Sequence, residues 1–385
     1  MSNEKQDLSP TAEEKSDQTQ NNHAPAHPNH PFFHYYGMLV HQQNMLQDNV
    51  RTGTYRNAMI NNPSTFKDAV VLDVGTGSGV LAVFAVQAGA KKVYAVEASD
   101  VADRAKQLIA ANNLSEKIEV IKGTVEKIEL PEKVDVIISE AMGFMLLHEQ
   151  MLQSYMIARD RFLKPEGRMF PTTGTIRVVP ITDHNLWLEQ ETKATFWDNK
   201  NFYGLDLTCL REAAAEDHFS QPVVGTFDPS CIMSCDISSY YINFNQDEPN
   251  SLDKVEIPLR FTISKTGVLH ALGVWFDVSF DGADAKVRLD TGPFSPPTHW
   301  YQCRLVFHRP LAVNTTQEVT GKMVLTANEK YSYFIDITLK LEGADHIATS
   351  ARMNLQDQQY YYLAQPEYNA WGQGCDQFGN PVPPT

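Results

Sequence analysis

The chain reads as an α/β protein: a doubly wound parallel sheet first, then a β-rich barrel or sandwich that carries a helical insertion. Three features predict this. Between Ala69 and Leu163, short apolar runs alternate with helical stretches, as parallel βαβ units require. The first run ends in a glycine-rich turn, V-L-D-V-G-T-G-S-G. Beyond the Pro and Gly punctuation of K-P-E-G-R-M-F-P, the apolar period changes to two, that of half-buried strands.

Residues 1–30 are rich in Pro, Asn, His and charge and almost lack apolar side chains, so a disordered tail is expected. His23, His27 and His30 read as solvated, since nothing there fixes a ligand geometry. The first domain is expected over 31–171. A-V-V-L-D-V is a strand, G-V-L-A-V-F-A-V-Q-A-G-A a helix stopped at glycine, K-K-V-Y-A-V-E a strand and V-A-D-R-A-K-Q-L-I-A-A-N-N a helix. K-I-E-V-I-K-G and V-D-V-I-I-S-E are further strands. The second domain is expected over 172–362, with strands in T-I-R-V-V-P-I, K-V-E-I-P-L-R-F-T-I-S, V-L-H-A-L-G-V-W-F-D-V-S-F, W-Y-Q-C-R-L-V-F and Y-S-Y-F-I-D-I-T-L-K-L. The aromatic, partly helical stretch at about 190–217 reads as a lid or docking arm. Residues 363–385 are expected to be a loose C-terminal extension.

At 385 residues, with 42% hydrophobic and 21% charged side chains, the chain can bury two ordinary cores. No apolar run approaches the roughly 20 residues that span a bilayer, so no membrane is expected as a partner. The polar N-terminus lacks a secretory pattern, and intracellular residence is expected. Five scattered cysteines fit a reducing compartment. Cys231 and Cys235 form a C-x3-C pair without a second pair, so no metal is expected. Lys and Arg total 32 against 47 Asp and Glu, a formal charge of 32 − 47 = −15. That charge disfavours direct nucleic-acid binding and attracts basic polypeptides.

Gly75, Gly77 and Gly79 let a ligand approach bare backbone at a helix N-terminus, although a merely tight turn would use the same residues. Glu97, closing the next strand, is spaced to meet ribose hydroxyls. The spacing is G-x-G-x-G, with Val80 where a dinucleotide fingerprint has its third glycine. Asp73 beside the turn would repel a pyrophosphate and tolerate a cation. S-adenosylmethionine, a nucleoside with a sulfonium and no phosphate, fits these features. Gly123 and Glu126 follow the third strand, where a carboxylate can accept from adenine's exocyclic amine.

Glu140 closes the strand V-D-V-I-I-S, and Glu149 opens the next helical stretch. Each by itself reads as a helix cap or a solvated charge. Together, two converging carboxylates can hold a guanidinium in its fixed fork of donors and choose which nitrogen faces a reagent.

With these motifs in hand, the sequence resembles the type I protein arginine methyltransferase family, most closely its coactivator-associated branch. The resemblance covers about Phe32 to Tyr362 and rests on F-F-H-Y-Y-G, Q-Q-N-M-L-Q-D-N-V-R-T-G-T-Y, V-L-D-V-G-T-G-S-G, Y-A-V-E-A-S, S-E-A-M-G-F-M-L-L-H-E and T-H-W-Y-Q. It implies a Rossmann-like S-adenosylmethionine domain followed by a β-barrel with a helical dimerisation arm. It implies that Phe33 and Tyr36 lie in an N-terminal helix covering the cofactor, with Gln42, Met45 and Arg51 following and Arg51 on the methionine carboxylate. Gly75, Glu97 and Glu126 correspond to turn, ribose and adenine contacts, with Asp73, Gly77, Ala98, Gly123 and Val125 alongside and Ser154 on the adenine side. Glu140 and Glu149 correspond to the arginine clamp, and His299 to a histidine paired with the acid matching Asp48. Met45 and Met142 are similar to the thioethers of a type I pocket, and Trp300 follows His299 on the substrate side. The implied partners are a second copy of the chain and arginine-containing basic proteins such as histones or RNA-binding proteins, in nucleus and cytoplasm. Ala141 and His148 depart from the family pattern, in positions that bear on substrate choice.

The reaction so implied is an in-line methyl transfer to a guanidino nitrogen, carried by alignment, water exclusion and electrostatics. A rival of another class is a cofactor-binding scaffold that recruits basic proteins with little turnover. Intact Glu140, Glu149, Arg51 and His299 argue against it, and glycine spacing argues against a nicotinamide oxidoreductase.

Overall fold

The computed structural model describes residues 31–361, with side chains from His34 onward. The expected N-terminal tail, the side chain of Phe33 and the extension from 363 lie outside the described residues. The chain enters through α1 (Pro31–Tyr36), α2 (Leu39–Gln47), α3 (Asn49–Ile60) and the single turn α4 (Pro63–Phe66). Asp48 ends α2 and caps α3, its Oδ1 accepting the Arg51 amide at 2.9 Å.

Five parallel strands follow: β1 (Val70–Val74), β2 (Lys92–Glu97), β3 (Ile118–Lys122), β4 (Val134–Ser139) and β5 (Leu163–Phe170), in the order β3-β2-β1-β4-β5. β1 is buried at every residue, as a central parallel strand covered on both faces must be. The helices α5 (Val80–Gln87), α6 (Val101–Ala111) and α7 (Met151–Phe162) complete this doubly wound unit, with Gly89 in the left-handed region just past α5. β5 was not expected: its Pro165 and Gly167 read as punctuation, yet an edge strand tolerates both.

A cis bond joins Phe170 to Pro171, and the chain then builds antiparallel structure. β6 (Thr173–Ile181) leads to α8 (His184–Lys193) and α9 (Arg211–Phe219), with 3-10 turns at Ala194–Asp198 and Thr208–Leu210 between them. Next come β7 (Val223–Gly225), β8 (Ser238–Asn243), β9 (Lys254–Thr262), β10 (Gly267–Asp281), β11 (Lys286–Asp290) and β12 (Gln302–Val313). β13 (Glu318–Ala327), β14 (Tyr333–Leu341), β15 (Ala344–Asn354) and β16 (Gln359–Tyr360) finish the described chain. One sheet runs β16-β7-β12-β10-β6-β8 with β11 on β10, and the other runs β15-β14-β13-β9. β8 lies against β9 and β12 against β15, so the sheets curve into a barrel-like unit. K-V-E-I-P-L-R-F-T in β9 is exposed and buried at alternate residues, the period-two pattern realised.

The two units share one apolar core. Tyr55 meets Phe280 edge-on at 4.9 Å, and Asn62 Oδ1 accepts the amides of Asp284 and Ala285 at 2.9 and 2.8 Å. The arm stands off this core: Phe196, Tyr203, Leu205 and Leu210 are exposed, whereas Ala215 and Phe219 of α9 are buried at its base.

Candidate active site

The nucleoside side of the site lies at the carboxyl ends of β1, β2 and β3, the crevice where open α/β sheets bind ligands. Gly75, Gly77 and Gly79 take φ of 70°, 57° and 91°, a region that glycine enters without strain. A Cβ on Gly77 would lie 2.6 Å from Gln42 Oε1 and would displace the end of that side chain. Gln42 bridges two elements, accepting the Ser78 amide at 3.1 Å and donating to the Tyr36 carbonyl at 3.1 Å. Glu97 accepts the amides of Gly77 and Ser99 at 2.9 and 2.7 Å, and the Gly123 amide donates to the Glu97 carbonyl at 2.9 Å. Ala98 is half-buried beside them. Ser154 Oγ donates to Glu126 Oε1 at 2.5 Å, bringing α7 onto the loop after β3. These groups suit a nucleoside: carboxylates at the ribose and adenine ends, and a bare-backbone turn without a cation for phosphate.

Two members of the expected set are differently disposed. Asp73 is fully buried, accepts the Thr76 hydroxyl at 2.5 Å, and is pushed by burial up to about 7. It braces the turn from within, so the expected repulsion of phosphate by an exposed charge is not its role. Val125 is buried, and its carbonyl accepts from Arg161, which leaves its side chain in the core.

The acidic side is assembled from distant segments. Glu140, just past β4, receives Arg51 Nη2 at 2.8 Å and Nε at 3.2 Å on one oxygen, and the Met142 amide at 3.3 Å on the other. Arg51 was expected on a cofactor carboxylate; in this structure its fork rests on Glu140. Among the described residues, Nη1 donates to Met45 O and Thr52 Oγ1 at 3.4 and 3.5 Å, the longest contacts of this guanidinium. Burial alone would lower the Arg51 pKa, but Glu140 outweighs it and the net shift is upward. Glu149 accepts the Tyr36 hydroxyl at 2.5 Å. Burial raises the Glu149 carboxyl to about 7, a rise that the Tyr36 bond opposes and nearby Glu140 reinforces. Tyr36 is itself driven well above its ordinary value, by burial and then by Glu149.

Asp48, having capped α3 with one oxygen, uses the other to accept the His299 amide at 2.9 Å and to meet His299 Nδ1 at 2.8 Å. Burial pushes its carboxyl up, but His299 and the two amides outweigh that and hold it below the usual range. Trp300 and Met142 were expected to meet substrate; both are 4% exposed, and the Trp300 indole donates to the Met142 carbonyl at 2.8 Å. They stiffen the loop between the glutamates from behind. Met45 is half-buried on α2.

Sequence reasoning missed Tyr55, whose hydroxyl donates to Ser139 O at 2.8 Å directly behind Glu140. It also missed Ser332, 2.9 Å from His148 Nδ1. Both partners are far away in sequence: Tyr55 closes the motif Q-Q-N-M-L-Q-D-N-V-R-T-G-T-Y, but nothing in it points to Ser139, and no local pattern marks Ser332.

Residues 172–346 match the family model for the arginine methyltransferase oligomerization subdomain, and residues 58–170 match that for ribosomal protein L11 methyltransferase. A probable histone-arginine methyltransferase 1.3 of Arabidopsis thaliana is 48% identical over 345 residues, covering 87% of this chain and 64% of the relative. Histone-arginine methyltransferase CARMER of Drosophila willistoni is 46% identical over 335 residues, covering 87% of this chain and 62% of the relative. The chain thus spans a little under two thirds of the length of these curated relatives. A Trypanosoma brucei PRMT1 enzyme-prozyme complex with AdoHcy superposes with a TM-score of 0.74 at 36% identity, over 83% of this chain and 99% of that one. Arabidopsis thaliana protein arginine methyltransferase 10 gives 0.74 at 33% identity, over 84% and 99%. Parallel sheet and barrel together are those of a methyltransferase with an oligomerisation subdomain. The chain belongs to the protein arginine methyltransferase family.

Proposed function

We propose that this protein transfers methyl groups from S-adenosylmethionine to guanidino nitrogens of arginine in histones or other arginine-rich proteins, giving monomethyl and asymmetric dimethyl arginine. The observation that carries this is that the N-terminal helices reach both acids, Tyr36 of α1 on Glu149 and Arg51 of α3 on Glu140, so that a guanidinium is already seated on one of them. The type I product rests on the resemblance of Met45 to a pocket thioether of that class, Met142 being buried behind the loop, and on the CARM1-like names of relatives at 49% identity. Action in the nucleus follows from histone substrates, and cytoplasmic action on RNA-binding proteins is part of the same reading.

When bound, S-adenosylmethionine supplies an electrophilic methyl group on a sulfonium. In this reading Glu97 would hold the ribose, Glu126 and Ser154 the adenine, the Gly75 to Gly77 backbone would face the nucleoside, and Arg51 would hold the carboxylate. Glu140 and Glu149 draw positive charge toward the nitrogens they hold, which leaves lone-pair character on the attacking one. α1 and α2 exclude water above it. After transfer, Glu149 is able to take the departing proton because its free carboxyl lies near 7. Asp48, held below the carboxylate range, orients His299 instead.

Incubation with isotopically labelled S-adenosylmethionine and an arginine-rich peptide, with chromatographic separation of the methylarginines, tests this reading. Asymmetric dimethyl arginine supports it; labelled peptide without that product removes the type I assignment, and unlabelled peptide removes the activity. The exposed arm fits a two-fold homodimer, with Phe196, Tyr203, Leu205 and Leu210 docking on the partner's first domain. Replacing 196–208 by a short linker keeps buried α9 and is expected to give monomers of low activity in sedimentation and methylation assays. A fully active monomer would discard the arm's role.

A further inference from the structure

Residues 148–150, which carry the second clamp glutamate, are fastened to the turn between β13 and β14 on the barrel. The Glu149 amide donates to Tyr331 O at 2.8 Å, and His148 Nδ1 lies 2.9 Å from Ser332 Oγ. Gln150 Nε2 donates to Ser332 O at 2.9 Å and Asn328 O at 3.2 Å. Asn328 closes the turn, its Oδ1 accepting the Lys330 and Ser332 amides at 3.0 and 3.2 Å and its own amide meeting Ser332 O at 2.8 Å. Ser332 is fully buried and His148 is 8% exposed, so water does not compete for their contact. Glu149, Gln150 and Tyr331 have φ of 75°, 54° and 57°. Non-glycine residues occupy that region where the surroundings over-determine it, and here the surroundings are the facing turn.

We propose that the β13–β14 turn, Asn328 to Ser332, is the positioning element for Glu149, acting through His148 and Gln150. The inference rests on the clamp reading of Glu149. The first carboxylate is then set by the end of β4 and the second by the barrel, so the distance between them is a property of how the two units dock. His148, a departure from the family pattern, becomes the side chain that reads Ser332.

The test uses the full chain with Ser332→Ala, Gln150→Met and the double variant, with Glu149→Gln as control. Misplacing a reacting group by about 1 Å can cost about a hundredfold. The double variant is expected to lose about that in kcat on an arginine-rich peptide and each single variant about tenfold, with cofactor Kd unchanged. The acidic limb of the pH profile is expected to move to lower pH as the loosened Glu149 becomes hydrated. The other groups facing Glu149 are Tyr35 and Tyr36 of α1, Glu140 after β4 and Tyr360 of β16, and none of them is altered. A wild-type kcat and pH profile in the double variant, with Glu149→Gln inactive, overturns the turn's role and leaves the clamp standing. Near wild-type turnover in Glu149→Gln overturns both. Should Ser332→Ala fail to fold, Gln150→Met, on a partly exposed side chain, decides alone.

Discussion

The nucleoside side and the acidic side of this site are built in opposite ways. On the nucleoside side, partners are near in sequence: Glu97 lies 20 residues from Gly77, and Ser154 lies 28 from Glu126. On the acidic side they are remote: Arg51 and Glu140 are 89 residues apart, Tyr36 and Glu149 113, His148 and Ser332 184, and His299 and Asp48 251. A βα turn with its glycines folds into a nucleoside cradle by local chemistry. A pair of carboxylates that must converge is costly to hold together, so it needs the N-terminal helices, the sheet and the barrel docked at once.

Arg51→Ala should strike hardest, because Arg51 is seated on Glu140 and is proposed to hold the cofactor's carboxylate as well. It strands Glu140, and if it also removes the cofactor carboxylate's partner, affinity for S-adenosylmethionine falls by about 2–5 kcal/mol. Lysine should rescue poorly, lacking the planar fork. Unchanged affinity in calorimetric titration would confine Arg51 to the acidic side. Glu149→Gln is expected to lower turnover by about 10²–10³, or about 2.7–4 kcal/mol, with cofactor affinity intact. The same substitution tests burial. The folded carboxyl lies near 7 against an ordinary 4.5, so the folded state holds the extra proton between those values and stability falls as pH rises through that window. The glutamine variant should therefore melt higher than wild type above pH 7 and together with it below 4.5. Equal melting at pH 8 would mean that Glu149 is solvated.

Gly77→Ala probes the local side. A left-handed φ costs a Cβ-bearing residue about 1–2 kcal/mol, and this Cβ also displaces Gln42. The expected result is weaker cofactor binding with kcat on saturating cofactor nearly kept; loss of kcat alone would couple the turn to the acidic side directly. Tyr36→Phe should have the smallest effect. Its hydroxyl holds the Glu149 pKa down, so its removal moves the acidic limb of kcat/KM to higher pH. An unmoved limb would assign that limb to another group.

Strands β1 to β4, β9, β10, β12 and β14 were legible because their apolar runs or alternation follow directly from burial on two faces or one. β5, β13 and β15 were not: Leu163–Phe170 contains Pro and Gly, Glu318–Ala327 has Gly321 at its middle, and Ala344–Asn354 is largely exposed on an edge. Such strands form because a neighbour offers a ladder, which composition does not reveal. Within the site, Gly75, Gly77, Glu97, Glu140 and Glu149 were singled out from spacing. That Asp73 faces inward, that Arg51 rests on Glu140, and that Trp300 is closed off by Met142 were not.

The sequence alone determined the two architectures, the nucleoside turn, the acidic pair and the aromatic arm, because each depends on periodicity or on residues within one supersecondary unit. Tertiary structure alone decided which groups the two glutamates face, how far burial moves their protonation, and that a barrel turn reaches the segment carrying Glu149. Those are consequences of distance and solvent exclusion between segments about a hundred or more residues apart, and they exist only once the sheet and the barrel share a core.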